Sequence, residues 1–202
     1  MGAGGAKAGM VVSPEADWTL EEIAAAARTP LWFQLYIQHD RGFTLELVRR
    51  AEAAGYGALV VTVDAPVFGM RNTEQRAGYK PPKLSQHANL AGLHTSYFAH
   101  AELGESLMFG GFMDVAARWA DIERLRAATK LPIILKGILC EEDAERAIDA
   151  GSDGLVVSNH GGRVLDTLPA SIEALPRVAK AVGGRVQVPC IERNTMGAAK
   201  AI

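Results

Sequence analysis

The chain has 202 residues, a formal net charge of -2 and 49% hydrophobic residues. This apolar content is enough for a folded core and excludes a disordered chain. The near-neutral charge, with no run of Lys or Arg, excludes a nucleic-acid-binding surface. No apolar stretch reaches the roughly 18 residues of a transmembrane helix, and we expect no signal peptide because the start of the chain lacks an apolar core.

The two cysteines, Cys140 and Cys190, are far apart and have no neighbouring Cys or His. Metal-ligand spacing and a disulfide framework are therefore both absent from the pattern. We expect free thiols in a reducing compartment, hence a cytoplasmic protein, and no metal site.

Short apolar runs alternate with helical patterns along the chain. The predicted strands cover residues 10–12, 32–36, 58–63, 132–135 and 154–157, with a sixth candidate at 186–188. The predicted helices cover residues 19–27, 43–54, 141–150 and 171–182. Repeated strand–helix units indicate a parallel α/β sheet, either doubly wound or closed as a (β/α)8 barrel. The missing G-x-G-x-x-G fingerprint weakens the doubly wound alternative.

One segment, residues 78–111, interrupts this alternation with weak periodicity and two consecutive prolines, Pro81 and Pro82. Loops of this length are usually functional or disordered. The segment follows a strand, on the face where a barrel builds its active site. An active-site lid and a disordered excursion both remain open.

Polar residues follow the ends of five successive predicted strands. They are Ser13, then Gln34 and Tyr36, then Thr62 and Asp64, then Lys136, and then residues 158–163. Each could simply satisfy a loop backbone or form a solvated charge. Five in succession predict a shared site, because the carboxyl ends of barrel strands meet on one face. His160 is the hardest to explain structurally, because the glycines beside it allow a sharp bend or close approach to a ligand.

Several strings around these residues occur in a fixed order: QLY at 34–36, TVDAP at 62–66, MRNTEQRAGY at 70–79, LPIILKGI at 131–138 and SNHGGR at 158–163. Together they resemble the FMN-dependent 2-hydroxy-acid oxidases and dehydrogenases. That family includes glycolate oxidase, lactate oxidase, flavin-type lactate dehydrogenase and mandelate dehydrogenase. The resemblance implies a single domain over residues 1–202: a partial (β/α)8 TIM-type barrel with strands two to about seven, lacking the first and last strands.

The resemblance also implies a reaction, the oxidation of a small 2-hydroxy acid to a 2-oxo acid. His160 resembles the catalytic base, and Asp64 resembles the carboxylate that hydrogen-bonds it. Tyr36 resembles the phenol that contacts the substrate near its reacting oxygen. Arg71 and Arg163 resemble the pair that holds the substrate carboxylate. A carbanion and a hydride route are both compatible with these residues, as are oxygen and a carrier as electron acceptor.

The implied cofactor is FMN. Lys136 resembles the cation beside flavin N1 and O2, where positive charge stabilises the reduced ring. The remaining flavin contacts implied by the resemblance are polar: Ser13, Gln34, Thr62 and Ser158.

The sequence departs from the family at residues 189–195, which read PCIERNT. The family has Asp-Gly-Gly-x-Arg-Arg-Gly there, a segment that helps to bind the FMN phosphate. We therefore expect weak or no FMN binding by this chain. A working flavin enzyme, an inactive truncated remnant and a different phosphate-binding barrel enzyme are the alternatives, and a homo-oligomer is left open.

Overall fold

The structure is a computed structural model that describes residues 3, 5–6, 8–66, 76–79, 87–93, 116–165 and 167–188. Its strands form one parallel sheet: β1 Met10–Val12, β2 Leu31–Leu35, β3 Leu59–Thr62, β4 Ile133–Ile138 and β5 Gly154–Val157. Each strand pairs with the next one along the chain, in the order β1-β2-β3-β4-β5. A doubly wound sheet would reverse its order at a switch point. Among the described strands there is no reversal, which favours the barrel alternative.

Five α-helices accompany the sheet: α1 Leu20–Ala26, α2 Arg41–Ala53, α3 Trp119–Ala128, α4 Glu141–Asp149 and α5 Ser171–Val182. Four of them confirm the predicted helices to within two residues at each end. The start of α1 shows why: Thr19 and Glu22 form a reciprocal capping box that satisfies backbone N–H groups at the first turn. At α2 the Asp40 carboxylate accepts a hydrogen bond from the Phe43 backbone, so the helix begins earlier than predicted.

Helix α3 was not predicted. Its buried face includes a carboxylate, Asp121, as well as Ile122 and Leu125, so the apolar pattern is weak. Asp121 is buried because Arg41, at the start of α2, donates two hydrogen bonds to its carboxylate at 3.1 and 2.9 Å. A buried charge of this kind requires a partner, and here that partner is distant in sequence.

The core lies between the sheet and its helices. Strands β3 and β5 are buried at every position, as expected for parallel strands covered on both faces. In β2 the fully buried Phe33 packs in the same apolar cluster as Leu47 of α2 and contacts Tyr56 edge to face, with ring centroids 5.8 Å apart. This packing anchors the strand whose carboxyl end carries the predicted site residues.

The prediction for β4 ended the strand three residues too early. The strand was expected over residues 132–135 but runs Ile133–Ile138. The strand continues past residue 135 because residue 137 is accommodated as a β-bulge. On either side of the bulge the pairing is kept, with Lys136 opposite Val156 and Ile138 opposite Val157. Lys136 therefore lies inside the strand, not at its end.

The candidate strand at 186–188 is reduced to one parallel bridge, between Gln187 and Gly154. Of the segment 78–111, the structure describes residues 78–79 and 87–93, so neither interpretation of the whole segment is tested. Within it, the fully buried Asn89 accepts a hydrogen bond from the Leu20 backbone at 2.7 Å, which ties residues 87–93 to the start of α1. Among the described residues, no helix is long and apolar enough to cross a membrane.

Candidate active site

Three ionisable side chains from three neighbouring strands meet near the carboxyl ends of the sheet. Asp64 follows β3, Lys136 lies in β4 and His160 follows β5. The Asp64 carboxylate has one oxygen 2.8 Å from His160 Nδ1 and the other 3.4 Å from Lys136 Nζ. Its side chain is only 7% exposed. A single largely buried carboxylate therefore contacts two partners. We call these three residues the Asp64–Lys136–His160 cluster.

The geometry of the cluster indicates how the His160 ring is oriented. Nδ1 lies 2.8 Å from Asp64 Oδ1 but 3.4 Å from Lys136 Nζ. A ring nitrogen of neutral imidazole either donates or accepts a hydrogen bond. Since both the carboxylate and the shorter distance favour donation, we assign the proton to Nδ1. The other nitrogen, Nε2, then keeps its lone pair and can accept a proton.

Lys136 contributes a cation in a confined position, with its side chain 18% exposed. Burial lowers the pKa of the Lys136 ammonium from its ordinary value, and the Asp64 carboxylate partly opposes that change. Burial disfavours the charged form because it removes water from the ammonium, whereas a nearby negative charge favours it. The Asp64 carboxylate therefore stabilises the charged form of Lys136 against the effect of its partial burial.

The turn that carries His160 has an unusual backbone. His160, Gly161 and Gly162 have φ values of 58°, 64° and 69°, in the left-handed region. For His160, which has a Cβ, this conformation is strained, and such strain is concentrated at functional sites. The Ser158 hydroxyl accepts a hydrogen bond from the His160 backbone at 3.0 Å and helps to hold the turn.

Asn159 belongs to the polar residues 158–163, but the sequence analysis assigned it no role. Its side-chain oxygen accepts a hydrogen bond from the Gly161 backbone at 2.9 Å, and its amide donates to the Pro169 carbonyl at 3.1 Å. Its backbone N–H donates to the hydroxyl of Ser171, at the start of α5. Asn159 therefore joins the His160 turn to α5. The available signal was Asn followed closely by two glycines, a typical turn composition.

The predicted flavin contacts lie at the carboxyl ends of several strands. Gln34 of β2 donates a side-chain hydrogen bond to the Thr62 hydroxyl of β3 at 3.1 Å, so these two residues are adjacent. Ser158 lies immediately after β5 and is buried. Ser13 follows β1, where its hydroxyl accepts a hydrogen bond from the Glu15 backbone. These predicted flavin contacts therefore lie along the edge of the sheet formed by the carboxyl ends of its strands.

The predicted substrate residues are placed less completely. Tyr36 directly follows β2 and is half-buried, and its carbonyl accepts a hydrogen bond from the Gln38 side chain. Arg163 ends the His160 turn and is half-buried. Both residues have further interactions within the chain. Arg71 lies outside the described residues, as does the altered stretch 189–195.

The family model for FMN-dependent dehydrogenases matches residues 1–190. The chain belongs to this family. An L-lactate oxidase of Nostoc is 45% identical over 195 residues, which is 93% of this chain and 53% of the relative. A mandelate oxidase solved with 3,3-difluoro-2-hydroxy-3-phenylpropionic acid has a TM-score of 0.79 at 39% identity, over 95% of this chain and 51% of that one. A mandelate oxidase variant with the C4a-OH-FMN adduct has a TM-score of 0.77 at 40% identity, over 93% of this chain and 50% of that one.

Membership of the FMN-dependent dehydrogenases confirms the resemblance drawn from the sequence motifs. The chain spans about half the length of the curated relatives it matches. The parallel sheet is accordingly part of a TIM-type barrel, and FMN is the cofactor of the family. Among the described residues, no group of three or more His, Cys, Asp and Glu side chains is arranged to hold a metal ion.

Proposed function

We propose that this chain carries the catalytic half of an FMN-dependent 2-hydroxy-acid oxidase. The observation that supports the proposal most strongly is the 2.8 Å contact between His160 Nδ1 and the Asp64 carboxylate. It orients the His160 ring with the proton on Nδ1 and the lone pair on Nε2, the arrangement that a general base requires. Both residues belong to motifs shared with the family.

The described residues fit the ring of FMN by their chemistry. An isoalloxazine ring has hydrogen-bond donors and acceptors along its polar edge. The face of the sheet offers an amide and hydroxyl pair, Gln34 and Thr62, together with the Ser13 and Ser158 hydroxyls and the Lys136 ammonium. Lys136 and His160 share the single carboxylate of Asp64, so the cluster has a net positive charge whenever His160 is protonated. An electron-rich ring edge suits such a charge.

The proposed reaction converts R–CHOH–COO⁻ to R–CO–COO⁻ and releases two electrons and two protons. FMN, when bound, supplies the two-electron acceptor. His160 takes one proton at Nε2, and Asp64 stabilises the resulting imidazolium through Nδ1–H. If the C–H hydrogen leaves with the electron pair, the proton taken by His160 is the hydroxyl proton. If the C–H hydrogen leaves as a proton, His160 takes that one, and the hydroxyl proton is released as the electron pair passes to the acceptor.

Substrate orientation is assigned to Tyr36, Arg71 and Arg163. Two guanidinium groups suit a carboxylate because each is permanently charged and offers paired donors in one plane. Tyr36 would donate a hydrogen bond to the oxygen at the reacting carbon. The names of the relatives, lactate oxidase and mandelate oxidase, favour a small 2-hydroxy acid as substrate and oxygen as electron acceptor.

The free thiol of Cys140 agrees with the proposed cytoplasmic location.

A second candidate function is an inactive member of the family with weak FMN affinity. It is favoured by the sequence PCIERNT at residues 189–195, which has no glycine and a single arginine. Phosphate sites in barrels use backbone N–H groups and fixed positive charge from the loops after strands seven and eight. Losing two or three charge-assisted hydrogen bonds there would cost roughly 3 to 9 kcal/mol of binding free energy.

Anaerobic mixing of the purified chain, saturated with FMN, with L-lactate or (S)-mandelate tests the proposal. Loss of the flavin absorbance supports 2-hydroxy-acid oxidation, with the His160→Gln variant and the methyl esters as controls. Saturating FMN separates weak binding from absent chemistry. If no 2-hydroxy acid reduces the flavin in an excess of FMN, the second candidate is correct.

A further inference from the structure

Gly137 occupies the β-bulge of β4 next to the cluster. The pairing passes from Lys136–Val156 to Ile138–Val157, so Gly137 is the extra residue on this strand. Its φ is +115°, a conformation that residues with a side chain rarely adopt. A glycine inside a strand commonly marks a bulge or a close approach of another part of the backbone. Both occur at this position.

The close approach is to Asp64. A Cβ built on Gly137 would lie 2.4 Å from Asp64 Cβ, 2.6 Å from Asp64 Cγ and 2.9 Å from the Asp64 backbone nitrogen. Cβ and the backbone nitrogen cannot move by side-chain rotation, and Cγ can move only by a χ1 rotation that swings the carboxylate away from its partners. Any side chain at residue 137 must therefore displace Asp64 itself.

Displacing Asp64 would change the partner of His160. The carboxylate is held at 2.8 Å from His160 Nδ1 and 3.4 Å from Lys136 Nζ by the same approach of β4 to residue 64. A shift of a fraction of an ångström lengthens the Nδ1–H hydrogen bond, whose strength falls with distance. Among the described residues, the Asp64 carboxylate is the group that favours the proton at Nδ1 over Nε2.

We propose that Gly137 is a positioning residue, which sets the Asp64 carboxylate and thereby keeps His160 in the Nδ1–H tautomer with Nε2 as the base. The inference deepens the proposed function and rests on it for its catalytic meaning. Its structural content concerns Gly137, Asp64 and His160 alone, so it can be tested without FMN and without turnover.

The chain offers a matched control for the backbone conformation. Gly55, after α2, has a φ of +83°, and a Cβ there would have no atom within 4 Å. The Gly55→Ala variant therefore carries the conformational strain of a positive φ without a clash. The Gly137→Ala variant carries both. Any difference between them reports the contact with Asp64.

The test is a long-range ¹H–¹⁵N correlation spectrum of the histidine rings in the 202-residue chain, recorded near pH 9, where an ordinary imidazole is neutral. The His160 signals are assigned from their loss in His160→Gln. We expect the Nδ1–H tautomer in the original chain and in Gly55→Ala. In Gly137→Ala, we expect Nδ1–H to be lost as the major form.

A second measurement covers the case in which Gly137→Ala fails to fold. The Asp64→Gly background removes Asp64 Cβ and Cγ, the two atoms nearest to the added Cβ. If Gly137 acts through Asp64, then Gly137→Ala is much less destabilising in that background: the double variant folds even if Gly137→Ala alone does not, or its unfolding midpoint falls much less.

Three results would overturn the proposal. One is a folded Gly137→Ala variant that keeps the Nδ1–H tautomer. Another is the same tautomer change or destabilisation in Gly55→Ala, because backbone strain would then explain the effect. The third is an equal loss of stability from Gly137→Ala with and without the Asp64 side chain, which would make Gly137 a requirement of β4 only.

Discussion

Replacing Asp64 with Asn removes one negative charge from the cluster while keeping the shape of the side chain. Lys136 Nζ lies 3.4 Å from the Asp64 carboxylate, and the two side chains are 18% and 7% exposed. At that distance Coulomb attraction is about 5 kcal/mol for an effective dielectric constant near 20 and about 1 kcal/mol in bulk water. Asn still offers an oxygen to His160 Nδ1–H. We therefore expect the free energy of unfolding to fall by about 2 to 4 kcal/mol at neutral pH.

The penalty should depend on pH in a direction set by Lys136. Burial holds its pKa below the ordinary value of 10.5, and Asp64 is the group that raises it, so the variant lowers that pKa further. Between the folded pKa and 10.5 the unfolded chain binds more protons, so stability rises with pH in this window. The difference between Asp64→Asn and the original chain should therefore shrink as Lys136 becomes neutral.

Urea unfolding at neutral and alkaline pH measures both effects. The control is Lys136→Met, a chain without the buried cation, in which Asp64→Asn should cost about 1 to 3 kcal/mol less. An equal penalty in both backgrounds, or a penalty that does not change with pH, would refute the assignment of Lys136 as the partner of Asp64.

The other predictions concern the proposed reaction. His160→Gln should leave flavin binding nearly intact and lower turnover by at least about 10² to 10⁴-fold, the usual contribution of a general base; retention of more than a tenth of the rate would contradict the assignment. Arg163→Met should raise KM and lower kcat together because the guanidinium both binds and orients the carboxylate, and equal activity of the original chain on an acid and its methyl ester would count against this. Fluorescence titration should give an FMN dissociation constant above about a micromolar, equivalent to less than some 8 kcal/mol of binding, because residues 189–195 lack the glycines and the second arginine of the family; tighter binding would show that this stretch does not limit affinity.

Local patterns predicted most of the elements, because the forces that specify them act over a few residues. The capping residues of α1 and α2, Thr19 and Asp40, lie next to the helices that they start. The buried strand β3 is continuously apolar in sequence. Helix α3 was missed because Asp121 is stable in the interior only beside Arg41, 80 residues away.

The same division applies to the site. The sequence by itself determined the family, through the ordered strings that contain Gln34, Asp64, Lys136 and His160. It also placed Asp64 and His160 just after strands, because the apolar runs end before them, whereas Lys136 was expected at a strand end and lies inside β4. What it did not determine is how the side chains pair across the sheet.

Only the tertiary structure decided that one carboxylate serves two partners. Asp64 and His160 are 96 residues apart, and the hydrogen bond between them exists because β3, β4 and β5 lie side by side in that order. The bulge at Gly137 could likewise not be read from the apolar run, which ends at residue 135 and therefore predicted the end of β4 there. The physical reason is that the absence of a Cβ is required only where another part of the chain comes close. At Gly137 that part is Asp64, which the packing of the sheet brings within contact distance.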